Sequence, residues 1–308
     1  MTAIEISLLG VDGTRWDVAG PLAGRQGAII AAEQVDGIYD APITVESDED
    51  ADDIGGSWVH TDYGIRDLVI GFHLFDDEYG GAPGQLESDF RKAFASETDW
   101  WDTTFKHARL VVKTALSGVR MLTVQMSEAP EVNLGDDRID EEYFNVKYLL
   151  RAYQPMWEGQ DWVSPFTTSG TSGSGTVEVW NPTDRPMRQT WTLTRGIWTL
   201  PDNSWTGKPK HRIPGGKHPD RTLPLPEILS TDGGLTLTRD RKRLHASTAL
   251  GGGSTNFLAR MQGKWLQYDI PPYTQRQEVP ISVTGAPATG ARAELIQPRR
   301  WSRPWGLE

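Results

Sequence analysis

The sequence predicts a mainly β protein built of two domains. Three observations carry this. Apolar runs of strand length recur along the chain, one segment has a clear helical period, and a Ser/Gly-rich run divides the chain near its middle. In the first half, residues 4–9, 41–45, 67–75, 109–114, 120–126 and 143–152 have strand length and composition. Residues 120–126 come close to a period of two, and the turn at Leu116-Ser117-Gly118-Val119 makes the fourth and fifth runs a hairpin. The helix runs from Pro83 to about Ser96. Proline suits a first turn, where its missing N–H costs nothing, and Leu86, Phe90, Ala93 and Phe94 then form one apolar face.

Residues 161–175, ending in Ser169-Gly170-Thr171-Ser172-Gly173-Ser174-Gly175, offer little to bury and read as a linker. Domain one is therefore expected over residues 1–160 and domain two over 176–308. The second half is punctuated by Pro and Gly. Its strand-like runs at 175–182, 189–194, 235–238, 244–247 and 279–283 point to a β-sandwich of short strands.

Composition excludes several functions. With no cysteine there is no disulfide, thiolate metal site or cysteine nucleophile, and the six scattered His form no close ligand pair. No apolar run approaches the length of a membrane span, and the N-terminus lacks the regions of a signal peptide, so synthesis in a cytoplasm is expected. Residues 1–155 hold 12 Lys/Arg against 29 Asp/Glu, a balance of −17, whereas residues 156–308 hold 19 against 13, a balance of +6. A net acidic chain does not suit general phosphate binding.

Six of the eight residues in Glu46-Ser47-Asp48-Glu49-Asp50-Ala51-Asp52-Asp53 are acidic. A calcium loop starting at Asp48 would need Gly at its sixth position and Glu at its twelfth, where Asp53 and Val59 stand; a solvated acidic surface is expected instead. No Gly-x-Ser-x-Gly elbow and no phosphate loop occurs, and adjacent acids such as Asp136 and Asp137 do not define a glycosidase pair. No catalytic, cofactor or metal residue is assigned. The 13 Trp suit cores, interfaces or sugar contact.

The segment Val179-Trp180-Asn181-Pro182-Thr183-Asp184-Arg185-Pro186 resembles the opening of the C-terminal domain of bacteriophage distal tail proteins. Residues 237–244 resemble the hairpin of that domain, residues 256–266 and 270–274 its closing segments, and residues 298–308 the ends of tail proteins of phages of actinobacteria. The resemblance spans about residues 176–308; domain one shares only its layout of β-elements with one helix. It implies a ring-forming belt domain, an outward galectin-like sandwich and a six-membered ring. It also implies a non-enzymatic virion role at the tail tip, with the tail tube protein and tip or hub proteins as neighbours. DNA would pass through without specific binding, and no membrane insertion is implied. On this basis Asp48, Glu49, Asp50, Asp52 and Asp53 are candidates for an acidic lumen that repels DNA. The alternative is a carbohydrate-binding module contacting host glycans.

Residues 201–221 depart from the resemblance as a long segment without regular pattern. They are expected to form an exposed contact loop presenting Trp205, Lys208, Lys210, Arg212 and Lys217. With so little apolar area, replacing the loop by a short Gly/Ser link is expected to leave the melting temperature nearly unchanged.

Overall fold

The computed structural model describes residues 4–49, 54–75, 83–94, 97, 101, 107–132, 143–240, 243–250 and 257–308. The chain divides into two units: residues 1–158 with 301–307, and residues 159–300 with 308.

In chain order, unit 1 contains β1 (Glu5–Leu9), β2 (Arg15–Ala19), β3 (Ala28–Asp36), β4 (Ile43–Asp48), β5 (Ser57–Tyr63) and β6 (Arg66–Phe75). The helix α1 (Pro83–Lys92), β7 (Ala108–Thr114), β8 (Gly118–Met126), β9 (Glu131–Val132), β10 (Tyr143–Ala152) and β11 (Trp157–Glu158) follow. The main sheet runs β2-β1-β7-β8-β10-β6-β3, with antiparallel neighbours. The expected hairpin is present: β7 and β8 pair from Ala108↔Val124 to Thr114↔Gly118, and Gly118 turns at φ 69°.

Alternate residues point into one core: Leu68, Ile70, Phe72 and Leu74 from β6, Leu110 and Val112 from β7, Leu122 and Val124 from β8. The helix adds the expected face, Leu86 and Phe90, with Ala93 and Phe94 just past its end. Phe90 is its hub, with ring centroids 5.0 Å from Trp16, 4.9 Å from Phe72 and 5.7 Å from Tyr148.

Two fully buried arginines hold residues 301–307 in this unit. Arg66 donates to the carbonyls of Pro155 (2.8 Å), Gly37 and Ile38 (both 3.0 Å), and Ser302 (2.8 Å). Arg120 donates to the carbonyls of Arg303 and Gly306, both at 2.9 Å, with its guanidinium 4.1 Å from the centre of the Trp301 ring. Trp301 and Trp305, expected in domain two, therefore pack in unit 1. Backbone carbonyls can satisfy a buried guanidinium because it offers five donors in a fixed plane.

Unit 2 is a sandwich around a single core. One sheet orders β12 (Trp162–Thr168), β22 (Ala291–Gln297), β14 (Thr190–Leu193), β19 (Leu235–Thr238) and β20 (Ala246–Thr248). The other orders β13 (Gly173–Asn181), β21 (Thr274–Thr284), β15 (Ile197–Pro201) and β18 (Thr222–Pro224). Both sheets feed the core, with Phe166, Trp191, Leu237 and Leu295 from the first and Val177, Trp198, Leu200 and Ile281 from the second. A small hairpin, β16 (Trp205–Thr206) with β17 (Ile213–Pro214), and a one-turn helix, α2 (Phe257–Arg260), complete it. The chain then passes through β23 (Arg300–Trp301).

The expected linker is instead structure. Residues 162–168 are β12, and residues 173–181 are β13. The glycines serve packing. A Cβ on Gly175 would lie 2.8 Å from the Phe166 ring, and one on Gly173 would lie 2.6 Å from Thr168 Oγ1. Ser164 is buried too, its hydroxyl accepting the Glu178 N–H at 2.8 Å.

One buried acid makes unit 2 pH-sensitive. Asp232 receives Arg260 Nη1 on both oxygens, at 3.0 and 2.8 Å, and the Leu229 N–H at 2.7 Å. Burial alone would push its carboxyl up, but the hydrogen bonds from Arg260 and Leu229 hold it below the ordinary carboxylate range. A folded value below the unfolded one means that the contribution is complete above about pH 4 and is lost as pH falls through the folded value. Asp232→Asn is expected to lower the melting temperature at neutral pH, with the difference from the parent chain shrinking in acid. A difference that stays constant on acidification would rule out this carboxylate as the source.

Candidate functional site

Among the described residues, strands β4 and β5 pair only with each other, as a two-stranded arm of unit 1. Opposed residues share a face, so the register sorts the side chains. Thr44, Glu46, Asp62 and His60 share one face, where His60 bridges the two acids: Nδ1 lies 3.1 Å from Glu46 and Nε2 lies 3.0 Å from Asp62. Ile43, Val45, Thr61 and Tyr63 share the other, and Trp58 joins them by donating from Nε1 to Thr61 Oγ1 at 3.1 Å. The register slips between Glu46 and Ser47, where Val59 is the extra residue of a bulge.

The apolar side of this arm is open. Ile43 is 59% exposed, Val45 54% and Trp58 67%, and every residue of β4 is exposed. A lone two-stranded ribbon is marginal in water unless its apolar side is covered. Of the candidate lumen acids, Asp48 ends β4 and is exposed, as is Glu49 beside it. Asp50, Asp52 and Asp53 lie outside the described residues.

Residues 201–221 differ from the expected loop. Lys208, Lys210 and Lys217 are exposed, but Arg212 is half-buried and Trp205 packs against the core of unit 2. Asp202 and Ser204 are buried. The segment is tied down by polar contacts: Arg212 Nε donates to the Pro272 carbonyl at 2.8 Å, and the Lys210 N–H donates to the Tyr273 carbonyl at 2.9 Å. The Ser204 hydroxyl donates to the Gly215 carbonyl at 2.6 Å and accepts the His218 N–H at 2.7 Å.

The tryptophans of unit 2 sort the same way. Trp191 and Trp198 are core, Trp205 lies on the core, and Trp162 and Trp180 are half-buried beneath arginines. Trp265, at 52%, is the exposed one, and nothing in the sequence distinguished it from Trp205. Among the described residues, no helix is long and apolar enough to cross a membrane.

No protein-family profile matches the chain. It is 27% identical to the minor tail protein Gp27 of Mycobacterium phage D29, and equally to that of Mycobacterium phage L5, over the full length of both partners in each comparison. Its fold is similar to the crystal structure of the SPP1 Dit (gp 19.1) protein, described as a paradigm of the hub adsorption apparatus of phages infecting Gram-positive hosts. That likeness has a TM-score of 0.56 at 12% identity and covers 95% of this chain and 98% of the other. A chain of the phage P2 baseplate, in its activated conformation with Ca, gives a TM-score of 0.50 at 12% identity, covering 97% and 98%. By sequence along its whole length, the chain is a homologue of mycobacteriophage minor tail proteins, on a mainly β fold similar to those of Dit and baseplate proteins.

Proposed function

We propose that this tail protein is a ring subunit at the distal end of the tail tube, joining the tube to the tip and leaving a passage for DNA. Its homology to minor tail proteins supports a structural part in the virion tail. The ring, six-membered as the likeness to distal tail proteins implies, would assemble through unit 1, with the tube protein and the tip or hub proteins on either side.

The observation that carries the reading is the β4–β5 arm. Its strip of Ile43, Val45 and Trp58 has nothing to bury against in its own hairpin, and a closed ring supplies each copy with a neighbour at the same place. The acidic side of the arm, with Asp48 and Glu49, would line the passage and repel DNA, a basic wall being one that would hold it. A ring structure with residues 46–53 on its outer rim would refute the lumen assignment.

The assembly claim is tested by paired substitution. Val45→Asp with Trp58→Asp is expected to convert the oligomer seen by sedimentation to monomer, with the melting temperature of unit 2 unchanged. An oligomer of unaltered size would show that the ring, if one forms, closes elsewhere. A parent chain that is monomeric even with its tail neighbours present would refute the ring itself.

A further inference from the structure

One end of the unit 2 sandwich carries a cluster of two tryptophans and two arginines. Gln297, fully buried at the end of β22, pins β13 there: its Oε1 accepts the Trp180 N–H at 2.8 Å and its Nε2 donates to the Glu178 carbonyl at 2.9 Å. Trp162 meets Trp180 edge to face, with ring centres 5.4 Å apart. Above them, the Arg276 guanidinium lies 4.2 Å from the Trp180 ring centre and that of Arg299 lies 4.1 Å from it; their distances to Trp162 are 4.8 and 5.4 Å.

The arginines differ in their partners. Arg276 is half exposed and has Glu178 at 3.5 Å. Arg299 is another matter: its Nε and Nη2 are buried and have no hydrogen-bond acceptor among the described residues. Those two nitrogens form the side-on fork of a guanidinium, whose parallel N–H bonds match the two oxygens of a carboxylate. Elsewhere in this chain the same fork is filled that way, Arg151 giving Nε to Asp67 Oδ1 at 2.6 Å and Nη2 to Oδ2 at 3.1 Å. Burial and then the neighbouring Arg276 push the Arg299 pKa down, with the Asp161 charge opposing them, and a bound anion would relieve what remains.

We propose that Arg299 and Arg276 form a carboxylate-binding site on unit 2, whose occupant is an Asp or Glu side chain of an acidic segment in a partner protein. A sugar fits less well. Sugar contact uses an open aromatic face, and here Trp180 is covered by both guanidiniums. The site needs no ring assembly, so it stands or falls apart from the proposed function. The fork is closed to solvent in this structure, so binding requires Arg299 to swing outward and the exposed Arg276 to turn from Glu178 to the incoming acid.

Fluorescence anisotropy of a labelled tri-glutamate peptide on the full chain tests this. Saturable binding is expected, absent for tri-glutamine and weakened about tenfold or more by Arg299→Lys, whose ammonium cannot form the fork. Arg276→Gln should weaken it too, and circular dichroism of both variants should match the parent. If Arg299→Lys fails to fold, the Arg276→Gln result decides the matter alone. Absence of peptide binding would overturn the proposal, as would equal binding by the folded variants. Tighter binding of inorganic phosphate or of a uronic-acid disaccharide than of tri-glutamate would overturn the assignment to an acidic protein segment.

Discussion

A chain ending at Arg300 is expected to lose the folded state of unit 1. The deletion removes the carbonyls of Ser302, Arg303 and Gly306, three of the acceptors on which the fully buried Arg66 and Arg120 depend, and also the Trp301 ring beneath Arg120. A buried charged donor left without its partner costs about 3 kcal/mol, so three lost contacts amount to about 9 kcal/mol. The net stability of a whole domain is only about 5–15 kcal/mol. Neutralisation offers no escape at physiological pH, since burial pushes Arg66 down only to about 10, with Asp40 opposing the shift. Hydrogen exchange read by mass spectrometry should find β6 and β8 unprotected in the shortened chain while β12 and β22 stay protected. Retained protection in β6 and β8 would show that the arginines do not need the C-terminal segment. Arg120→Met should give a smaller loss, because it removes the charge along with its contacts and leaves the carbonyls of Arg303 and Gly306 without that donor.

The same contacts change what a fragment can show. Residues 1–160, expected to carry the ring alone, lack the segment that fills the arginine sites of unit 1. An assembly test must therefore use the whole chain.

Much of the fold was legible where one face of a strand is buried. β6, β7, β8 and β10 show apolar residues at alternate positions, and α1 shows its face in Leu86, Phe90, Ala93 and Phe94. β3 was not legible because its pairing with β6 slips between Ile30 and Val35, which breaks the period of two. The residues around Gly173 and Gly175 misled for another reason. Small residues look like linker when nothing reveals the ring packed on them, and Phe166 lies only nine positions away from Gly175. The acidic run was visible, but the apolar face of the arm was not. Its signal is the pairing of Ile43 and Val45 with residues beyond the turn at Gly55-Gly56, bringing Trp58 to the same side. Arg66 and Arg120 left no such trace, since their acceptors are backbone carbonyls that any residue could provide.

Asp202→Ala is expected to lower the melting temperature of unit 2 on the order of 10 °C, taking about 3–5 kcal/mol for breaking a buried ion pair. The Asp202 side chain is fully buried. Its two oxygens accept the Gln267 N–H at 2.9 and 3.0 Å, the Tyr268 N–H at 3.0 Å and Arg221 Nε at 2.7 Å. Those donors tie Asp202 to residues 267–268 and to Arg221, Arg221 Nη2 donates to the Trp265 carbonyl at 3.2 Å, and His218 adds a 2.5 Å contact to the Tyr268 hydroxyl. Alanine would leave two backbone N–H groups and the Arg221 Nε without their acceptor, the costly side of hydrogen-bond removal. Replacing residues 203–220 by a short Gly/Ser link should likewise destabilise unit 2, contrary to what apolar area alone predicts. The order of this segment comes from satisfied polar groups, with little apolar burial beyond Trp205. Differential scanning calorimetry of the full chain checks both variants. A fall of less than about 2 °C for Asp202→Ala would mean that water replaces the carboxylate and that the segment is an appendage after all.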